Sequence, residues 1–295
     1  MLTRKEFDVL TKIESAEIKL SQRELSRLTG YSIGTINSTL AFLEENKLTK
    51  DSMITEKGIT SLEPYRVQRV IFIAAGFGSR MIPITLNTPK PLIRVKGERI
   101  IDSMLDAVLK AEIREIIIVR GYLAEQFDQL LYKYPNIKFI DNPSFNEGNN
   151  ISSALCAKEY LSNSYICEAD LILKNPSLIT KYQYSSNYCG IKCDFTDDWC
   201  LFKKKGRISG VSVGGENGWR MLGISYWNSE DGNLLRECLE KAYKMPGGKE
   251  RYWDSVPLSV FNAKFNLEIR ECSFADFIEL DTFNELKEID KSYEY

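Results

Sequence analysis

Residues 70–92 read VIFIAAGFGSRMIPITLNTPKPL. The first four are apolar, which predicts a short buried strand, and a glycine-rich turn follows at once. Small residues in such a turn let backbone amides approach the oxygens of a phosphate chain, and Arg80 adds a fork of donors suited to phosphate. The spacing fits neither a Walker A loop nor a dinucleotide G-x-G-x-x-G motif. The stretch therefore predicts a phosphate-binding loop of another kind.

The order A-A-G-x-G-x-R, a proline, then P-K-x-L resembles the signature of the nucleotidyltransferases that make sugar nucleotides and CDP-alcohols. The alternative is a generic strand-to-helix glycine turn. In that family the loop wraps the triphosphate and the lysine stabilises charge on the α-phosphorus, which implies catalytic roles for Arg80 and Lys90. The resemblance also implies that the nucleotide is bound by Ala74, Ala75, Gly76, Gly78, Ser79 and Arg80.

Beyond this loop, apolar strands alternate with helices. The pattern predicts helices over 101–109, 124–132 and 152–160, and strands over 115–119, 138–140, 164–167, 211–213 and 222–224. Such β-α-β order indicates a mostly parallel sheet covered by helices on both faces. We therefore expect an α/β fold in which residues 65–295 form a Rossmann-like, mostly parallel mixed sheet of the nucleotidyltransferase type.

Residues 1–64 are expected to form a small separate domain. A capping-box pattern at Ser21 opens one helix, Gly30 makes a turn, Ser32 caps a second helix, and two short strands closed by residues 56–58 follow. This order resembles the winged helix-turn-helix family, which implies DNA as a partner. The domain, however, holds nine Lys and Arg against ten Asp and Glu, and its second helix carries no cation. DNA binding, dimerisation and domain packing therefore all stay open.

Two aspartates are candidate magnesium ligands. Asp170 stands just past an apolar strand, where parallel-sheet proteins place ligand groups, and Asp254 lies in the sequence RYWD. Two carboxylates with phosphate oxygens and waters suit Mg²⁺, and the resembling family holds magnesium with two aspartates in this layout. A helix cap or a surface ion pair is the alternative for each. Glu168, where relatives often carry another aspartate, has an uncertain role.

Motifs in the second half resemble the bacterial choline-phosphate cytidylyltransferases. They lie at residues 148–153, 196–199, 220–227 and 252–254. The resemblance implies CTP as donor, phosphocholine as acceptor, and Asn150 and Ser153 beside the nucleotide base. A quaternary ammonium is recognised by aromatic faces with a carboxylate nearby. The candidates for substrate binding are Trp199, Tyr252, Trp253 and Glu279, and Asp254 is a further candidate for the carboxylate. Burial of these aromatic rings in the core is the alternative.

The composition of the chain limits both the expected location of the protein and the kinds of catalysis it can perform. The net charge is −2, no apolar run could cross a bilayer and the first residues are not a secretory leader, so we expect a cytoplasmic protein without membrane contact. The chain has no histidine, which excludes Ser-His and Cys-His catalysis. A phosphate monoester attacking the α-phosphorus of an NTP is already an anion and needs no general base.

Two interpretations follow. In the first, the chain is an enzyme that joins CMP from CTP to phosphocholine, or to another small phosphate such as phosphoethanolamine or a sugar 1-phosphate. In the second, it is a DNA-binding regulator that senses such a ligand through a silent nucleotidyltransferase fold. Presence of Arg80, Lys90, Asp170 and Asp254 together favours the enzyme. A homodimer is left open.

Overall fold

The computed structural model describes residues 1–16 and 18–294. The chain divides into two compact units, the first containing residues 1–66 and 182–184 and the second residues 67–181 and 185–295. Within the described ranges, no helix combines the length and the apolar character that crossing a membrane requires.

The first unit is helical with one small hairpin. Its elements are α1 (Arg4–Glu14), α2 (Gln22–Thr29), α3 (Ile33–Glu45), β1 (Thr49–Lys50), β2 (Met53–Ile54) and α4 (Glu56–Leu62). The predicted capping box is present, because Ser21 Oγ accepts from the Glu24 amide and Glu24 Oε2 accepts from the Ser21 amide. Residues 56–58 were expected to close the hairpin but begin α4 instead, since Thr55 caps that helix by accepting from the Gly58 amide at 3.1 Å.

The second unit is an α/β structure. Its helices are α5 (Asp102–Lys110), α6 (Ile151–Cys156), α7 (Ser229–Tyr243) and α8 (Phe283–Ile289). Its strands are β3 (Arg69–Ala74), β4 (Arg94–Val95), β5 (Glu98–Arg99), β6 (Glu115–Arg120), β7 (Ile137–Asp141), β8 (Ser164–Glu168), β9 (Leu171–Leu173), β10 (Asn187–Lys204), β11 (Arg207–Trp227), β12 (Glu268–Cys272) and β13 (Phe277–Glu279).

The main sheet has seven strands in the order β12-β10-β11-β8-β3-β6-β7. Strands β7, β6, β3 and β8 run parallel, β11 runs antiparallel to both β8 and β10, and β12 is parallel to β10. This is the predicted mostly parallel mixed sheet. β3 lies inside the sheet between β8 and β6. The loop that follows it therefore opens at the carboxyl edge of the parallel strands, where ligands bind in open α/β structures.

Alternate residues of β3 enter two different cores. Val70 and Phe72 pack in the core that includes α5, whereas Ile71 packs in the core that includes α6 and α7. All three side chains are fully buried, and burying each one stabilises the fold by about 1.5–3 kcal/mol. The continuous apolar run therefore reflects a strand covered on both faces.

Four predicted elements, two helices and two strands, differ from the structure. Residues 124–132 form a 3-10 helix, and the helix expected over 152–160 ends as α6 at Cys156, followed by a 3-10 turn over Lys158–Tyr160. The separate strands expected over 211–213 and 222–224 are parts of the single strand β11. Register shifts in its pairing with β10 break the regular alternation, which explains why the sequence pattern read as two strands.

Candidate active site

The glycine-rich loop leaves β3 and folds back toward Lys90. Gly78 has φ = +62°, and a Cβ there would lie 3.0 Å from Thr85 Cγ2 and 3.1 Å from Lys90 Cβ. Thr85 Oγ1 donates to the Gly78 carbonyl at 2.9 Å, which holds the turn closed. Only glycine fits this position without strain, so the close return of the chain brings Lys90 beside the loop.

A cavity of about 420 Å³ opens over this loop. Of the predicted nucleotide-binding residues, those lining it are Ala74, Gly76, Gly78, Ser79, Arg80 and Asn150. Ala75 is buried, and its carbonyl accepts from the Tyr122 amide at 3.1 Å. Ala75 therefore holds the loop against the sheet instead of facing the cavity. We call the lining residues 74–91 the loop side of the site.

Lys90 is the buried cation of the loop side, with only 8% of its surface exposed. Its ammonium donates to Asp170 Oδ2 at 2.7 Å and to Asp281 Oδ1 at 3.1 Å. Burial alone would lower the pKa of Lys90, but the two carboxylates outweigh it and raise that pKa above its ordinary value. Lys90 is therefore a fixed positive charge, and it shares one cavity with Asp170 and Asp281.

Arg80 is the exposed cation of the loop side. Its side chain is 67% exposed, and Nη2 donates to Asp281 Oδ1 at 2.8 Å. Asp281 thus bridges both cations at the mouth of the cavity. An anionic ligand entering here would compete with Asp281 for the two cations, and Arg80 can move because most of it lies in solvent.

Asp170 has one satisfied and one orphaned oxygen. Oδ2 accepts from Lys90, while Oδ1 is buried and has no hydrogen-bond partner in the described part of the chain. A buried carboxylate oxygen without a partner is costly and is expected where a ligand completes the site. The geometry fits a cation that binds Asp170 Oδ1.

Glu168, two residues before, also lines the cavity. Burial raises the pKa of Glu168 well above its usual range, and the charges of Asp170, Asp254 and Glu279 raise it further. A Cβ at residue 223 would lie 2.2 Å from Glu168 Oε2, so Gly223 on β11 leaves the space that the carboxyl group occupies. Several carboxyl groups therefore converge on one side of Lys90.

Asp254 lies deeper than Asp170. It is buried, and Oδ1 accepts from the Tyr188 hydroxyl at 3.0 Å. Burial raises the pKa of Asp254 to about 7, although the hydrogen bond from Tyr188 opposes this. Asp254 does not line the cavity itself, but it is close enough to Glu168 to act on that group electrostatically. Within residues 1–16 and 18–294, no three acidic or cysteine side chains form a ready-made metal site.

The predicted substrate-binding aromatics separate into two environments. Tyr252 is 49% exposed, lines the cavity and meets the Trp199 ring edge-on, with centroids 5.5 Å apart. Trp253 is only 3% exposed, and its ring packs in the core against Tyr188 and Trp227 at centroid distances of 6.2 and 6.1 Å. Trp253 therefore lies in the core and not at the cavity, which corrects its assignment as a substrate-binding residue.

An ion-pair network joins the Trp199–Tyr252 pair to Glu279. Arg220 donates to Asp198 Oδ2 at 3.2 Å and to Glu279 Oε2 at 2.6 Å. Burial raises the pKa of Glu279 to about 7, Arg220 opposes this rise, and the nearby acids Asp170, Asp281 and Asp198 add to it. We call this set the side wall; its members are Asp198, Trp199, Arg220, Tyr252 and Glu279. Tyr252 lines the cavity, whereas the predicted substrate-binding residues Trp199 and Glu279 lie behind it and are joined to it through the contacts described.

Asn150 and Ser153, both predicted to lie beside the nucleotide base, lie in different environments. Asn150 lines the cavity, and its Oδ1 accepts from the Trp253 amide at 2.8 Å, which fixes the segment around Tyr252. Ser153 is buried, and its Oγ accepts from Asn142 Nδ2 at 3.0 Å. Because that hydroxyl is already bonded within the protein, Ser153 supports the segment and does not line the cavity.

Sequence reasoning missed two contributors. Phe77, which lies between Gly76 and Gly78 in the loop, lines the cavity with 46% of its surface exposed and contacts Tyr122 and Phe145. An exposed aromatic residue inside a glycine loop was the available signal. Tyr188, which holds Asp254, stands in an ordinary apolar strand and gave no signal.

Similarity to known proteins identifies the family of this chain. The profile of the nucleotidyl transferase family matches residues 69–184. A 2-aminoethylphosphonate cytidylyltransferase of Lancefieldella rimae is 35% identical over 229 residues, covering 76% of this chain and 93% of the relative. This chain belongs to the nucleotidyl transferase family.

Two further relatives place this nucleotidyltransferase among the cytidylyltransferases. A choline-phosphate cytidylyltransferase of Haemophilus influenzae is 30% identical over 225 residues, which cover 74% of this chain and 94% of that protein. The solved structure of CTP:phosphocholine cytidylyltransferase from Streptococcus pneumoniae superposes with a TM-score of 0.70 at 28% identity, covering 77% of this chain and 99% of that one. The predicted fold and the prediction of a transferase enzyme are confirmed, while the named acceptors of the relatives differ.

Proposed function

We propose that this nucleotidyltransferase transfers CMP from CTP to a small acceptor that carries a phosphate or phosphonate at one end and an amine cation at the other. The observation that carries the proposal is the 2.7 Å contact of Lys90 with Asp170 in a cavity lined by the glycine-rich loop. A fixed cation, loop amides and an orphaned carboxylate oxygen in one cavity match the needs of a triphosphate and its counter-ion.

The reaction needs alignment and charge neutralisation. An acceptor oxygen forms a bond to the α-phosphorus while the bond from that phosphorus to the bridging oxygen breaks, and pyrophosphate leaves with the electron pair. The acceptor is already an anion, so the absence of histidine is no obstacle. Lys90 stabilises the negative charge that develops at the α-phosphoryl group, and Arg80 with the loop amides binds the β- and γ-phosphates.

Mg²⁺ is the proposed cofactor, held by Asp170 and Asp281 in place of the expected pair Asp170 and Asp254. Asp170 Oδ1 is buried and has no partner within the described ranges, and Asp281 lines the same cavity. Asp254 does not line it, and its Oδ1 already accepts from the Tyr188 hydroxyl. Magnesium uses one or two carboxylates together with substrate phosphates, so a preformed three-ligand site is not required. When bound, it would neutralise phosphate charge.

Two acceptors are candidates, and the side wall supports an order between them. We place 2-aminoethylphosphonate first, because a primary ammonium donates hydrogen bonds to carboxylates such as Glu279 and Asp198. Phosphocholine is the second candidate. The edge-on pair of Trp199 and Tyr252 favours it, but the predicted three-ring box is reduced to two rings by the burial of Trp253.

Pyrophosphate release tests this function. The protein is assayed with Mg²⁺ and each of four NTPs against 2-aminoethylphosphonate, phosphocholine, phosphoethanolamine and glucose 1-phosphate. CTP with 2-aminoethylphosphonate should give the highest kcat/KM, and CTP with phosphocholine the next. Preference for another NTP or for the sugar phosphate would overturn the proposal. Absence of product in every combination would favour the ligand-sensing regulator.

For the first unit we propose a winged helix-turn-helix module over residues 1–64. The order α2, turn, α3 and the β1–β2 hairpin supports it, and Asn37 and Ser38 are exposed on α3. Binding to a panel of double-stranded DNA, measured at 50 and 200 mM salt, tests the DNA role. Affinity that falls with salt would support it. If no DNA binding is found at low salt, dimerisation is the role to test next, by measuring the molar mass in solution with light scattering.

A further inference from the structure

Arg220 on β11 joins two carboxylates that come from different strands. Its Nε and Nη2 each lie 3.2 Å from Asp198 Oδ2 on β10, and Nη2 lies 2.6 Å from Glu279 Oε2 on β13. The guanidinium is half-buried and stands 5.7 Å from the Phe274 ring centroid. A planar fork that is fixed on two acids is a rigid connection, because Arg presents its donors in one plane.

This connection orders the whole side wall. Asp198 uses its other oxygen, Oδ1, to accept from the Trp199 amide at 2.7 Å, and Trp199 contacts Tyr252, which lines the cavity. Glu279 is paired in register with Leu171, the residue after Asp170. Arg220 is therefore the link between the aromatic half and the carboxylate half of the wall, beside the cavity that holds Asp170.

The charges of the wall leave a single excess anion. Above the pKa of Glu279, which burial raises to about 7, Asp198 and Glu279 contribute two negative charges and Arg220 one positive charge. The adjacent Asp170 and Asp281 are matched by Lys90 and Arg80. A wall with one net negative charge suits one ammonium group. Without Arg220, the two acids would repel each other and lose their common orientation.

We propose that Arg220 is the positioning residue that makes the site select acceptors bearing an amine cation, by holding Asp198 and Glu279 as a wall of one net negative charge. This inference rests on the proposed function, since it assumes CMP transfer to such an acceptor. Arg220 acts through the two carboxylates and does not touch the reacting atoms.

A pair of acceptors that differ only in the amine tests the inference. Steady-state kinetics with CTP compare 2-aminoethylphosphonate and ethylphosphonate for wild type, Arg220→Gln and Arg220→Lys. Wild type should prefer the amine. In Arg220→Gln the KM for 2-aminoethylphosphonate should rise about 10-fold or more, while the KM values for CTP and ethylphosphonate change less than about 2-fold. Arg220→Lys keeps the positive charge but lacks the planar guanidinium. Its KM for 2-aminoethylphosphonate should therefore lie between the values of wild type and Arg220→Gln.

Arg207→Gln is the matched control. Arg207 is on the same strand and pairs with Glu268 at 2.8 Å, so its loss removes a comparable ion pair outside the wall and should leave amine preference unchanged. Equal losses for both acceptors in Arg220→Gln, or unchanged amine preference, would overturn the inference while the proposed function stands. If Arg220→Gln does not fold, the KM values for the two acceptors are compared in Arg220→Lys instead. A wild type that transfers CMP to neither of these acceptors nor to phosphocholine would overturn the proposed function and this inference with it.

Discussion

The loop side of the cavity comes from one continuous stretch, residues 74–91, whereas the side wall collects residues from β10, β11, β13 and the segment around Tyr252. The loop side is built from backbone amides and two cations. The side wall consists of aromatic and carboxylate side chains tied together by Arg220. The difference supports the proposed division, in which the loop side binds the triphosphate and the side wall binds the acceptor.

The largest expected effect lies on the loop side. Lys90→Ala should lower kcat about 10²- to 10³-fold, because it removes a preorganised charge that acts on the transition state. Removing it also leaves Asp170 and Asp281 without their buried partner, so thermal unfolding must be measured alongside the kinetics. A folded Lys90→Ala protein with a normal kcat would break the assignment of the loop side to the phosphates.

Arg80→Ala should act on CTP binding. Loss of a charge-assisted contact of about 1.5–3 kcal/mol predicts a KM for CTP that rises about 10- to 100-fold, with the acceptor KM unchanged. Because the side chain is 67% exposed, Tm should stay the same within error. A rise in acceptor KM instead of CTP KM would reverse the division between the two sides.

Gly223→Ala tests how tightly the acidic groups are packed. A Cβ at that position would lie 2.2 Å from Glu168 Oε2, and such overpacking costs about 1–3 kcal/mol of unfolding free energy. Gly210→Ala is the control on the same strand, because nothing lies within 4 Å of its added Cβ. We expect a lower Tm only for Gly223→Ala, and equal Tm values would show that Glu168 can move away.

Tyr252→Ala tests the role of the side wall in acceptor binding and has the smallest expected effect. Loss of one aromatic contact with an ammonium, worth about 0.5–2 kcal/mol, predicts an acceptor KM that rises about 2- to 30-fold. Trp253→Ala is its neighbour control and should lower stability instead, because it opens a cavity in the core. If the two variants behaved alike, the separation of these adjacent rings would be wrong.

The loop side could be predicted well because all its parts are local in sequence. Spacing placed Gly78, Arg80 and Lys90 together, and the end of an apolar strand placed Asp170 opposite them. Asp281 lies 191 positions after Lys90, and nothing in its neighbourhood predicted that it bridges both cations. Long-range ion pairs of this kind depend on how α8 and β13 pack, which periodicity does not encode.

The side wall was predicted less well for a physical reason. Tyr252 and Trp253 are adjacent aromatics in an irregular segment, so no helical or strand period determines which ring faces the cavity. Ser153 matched a motif, yet its hydroxyl is bonded to the buried Asn142. The register shifts between β10 and β11 likewise hid the position of Arg220 relative to Asp198.

The division between the loop side and the side wall is tested most directly by calorimetric titration of Arg80→Ala and Tyr252→Ala with two ligands. The ligands are CTP and CMP-2-aminoethylphosphonate, the mixed anhydride product, which contains the acceptor but lacks the triphosphate. Arg80→Ala should weaken binding of CTP and leave binding of the anhydride unaffected, whereas Tyr252→Ala should weaken binding of the anhydride and leave binding of CTP unaffected. Weakening of both ligands by both variants, or the opposite pattern, would contradict the division.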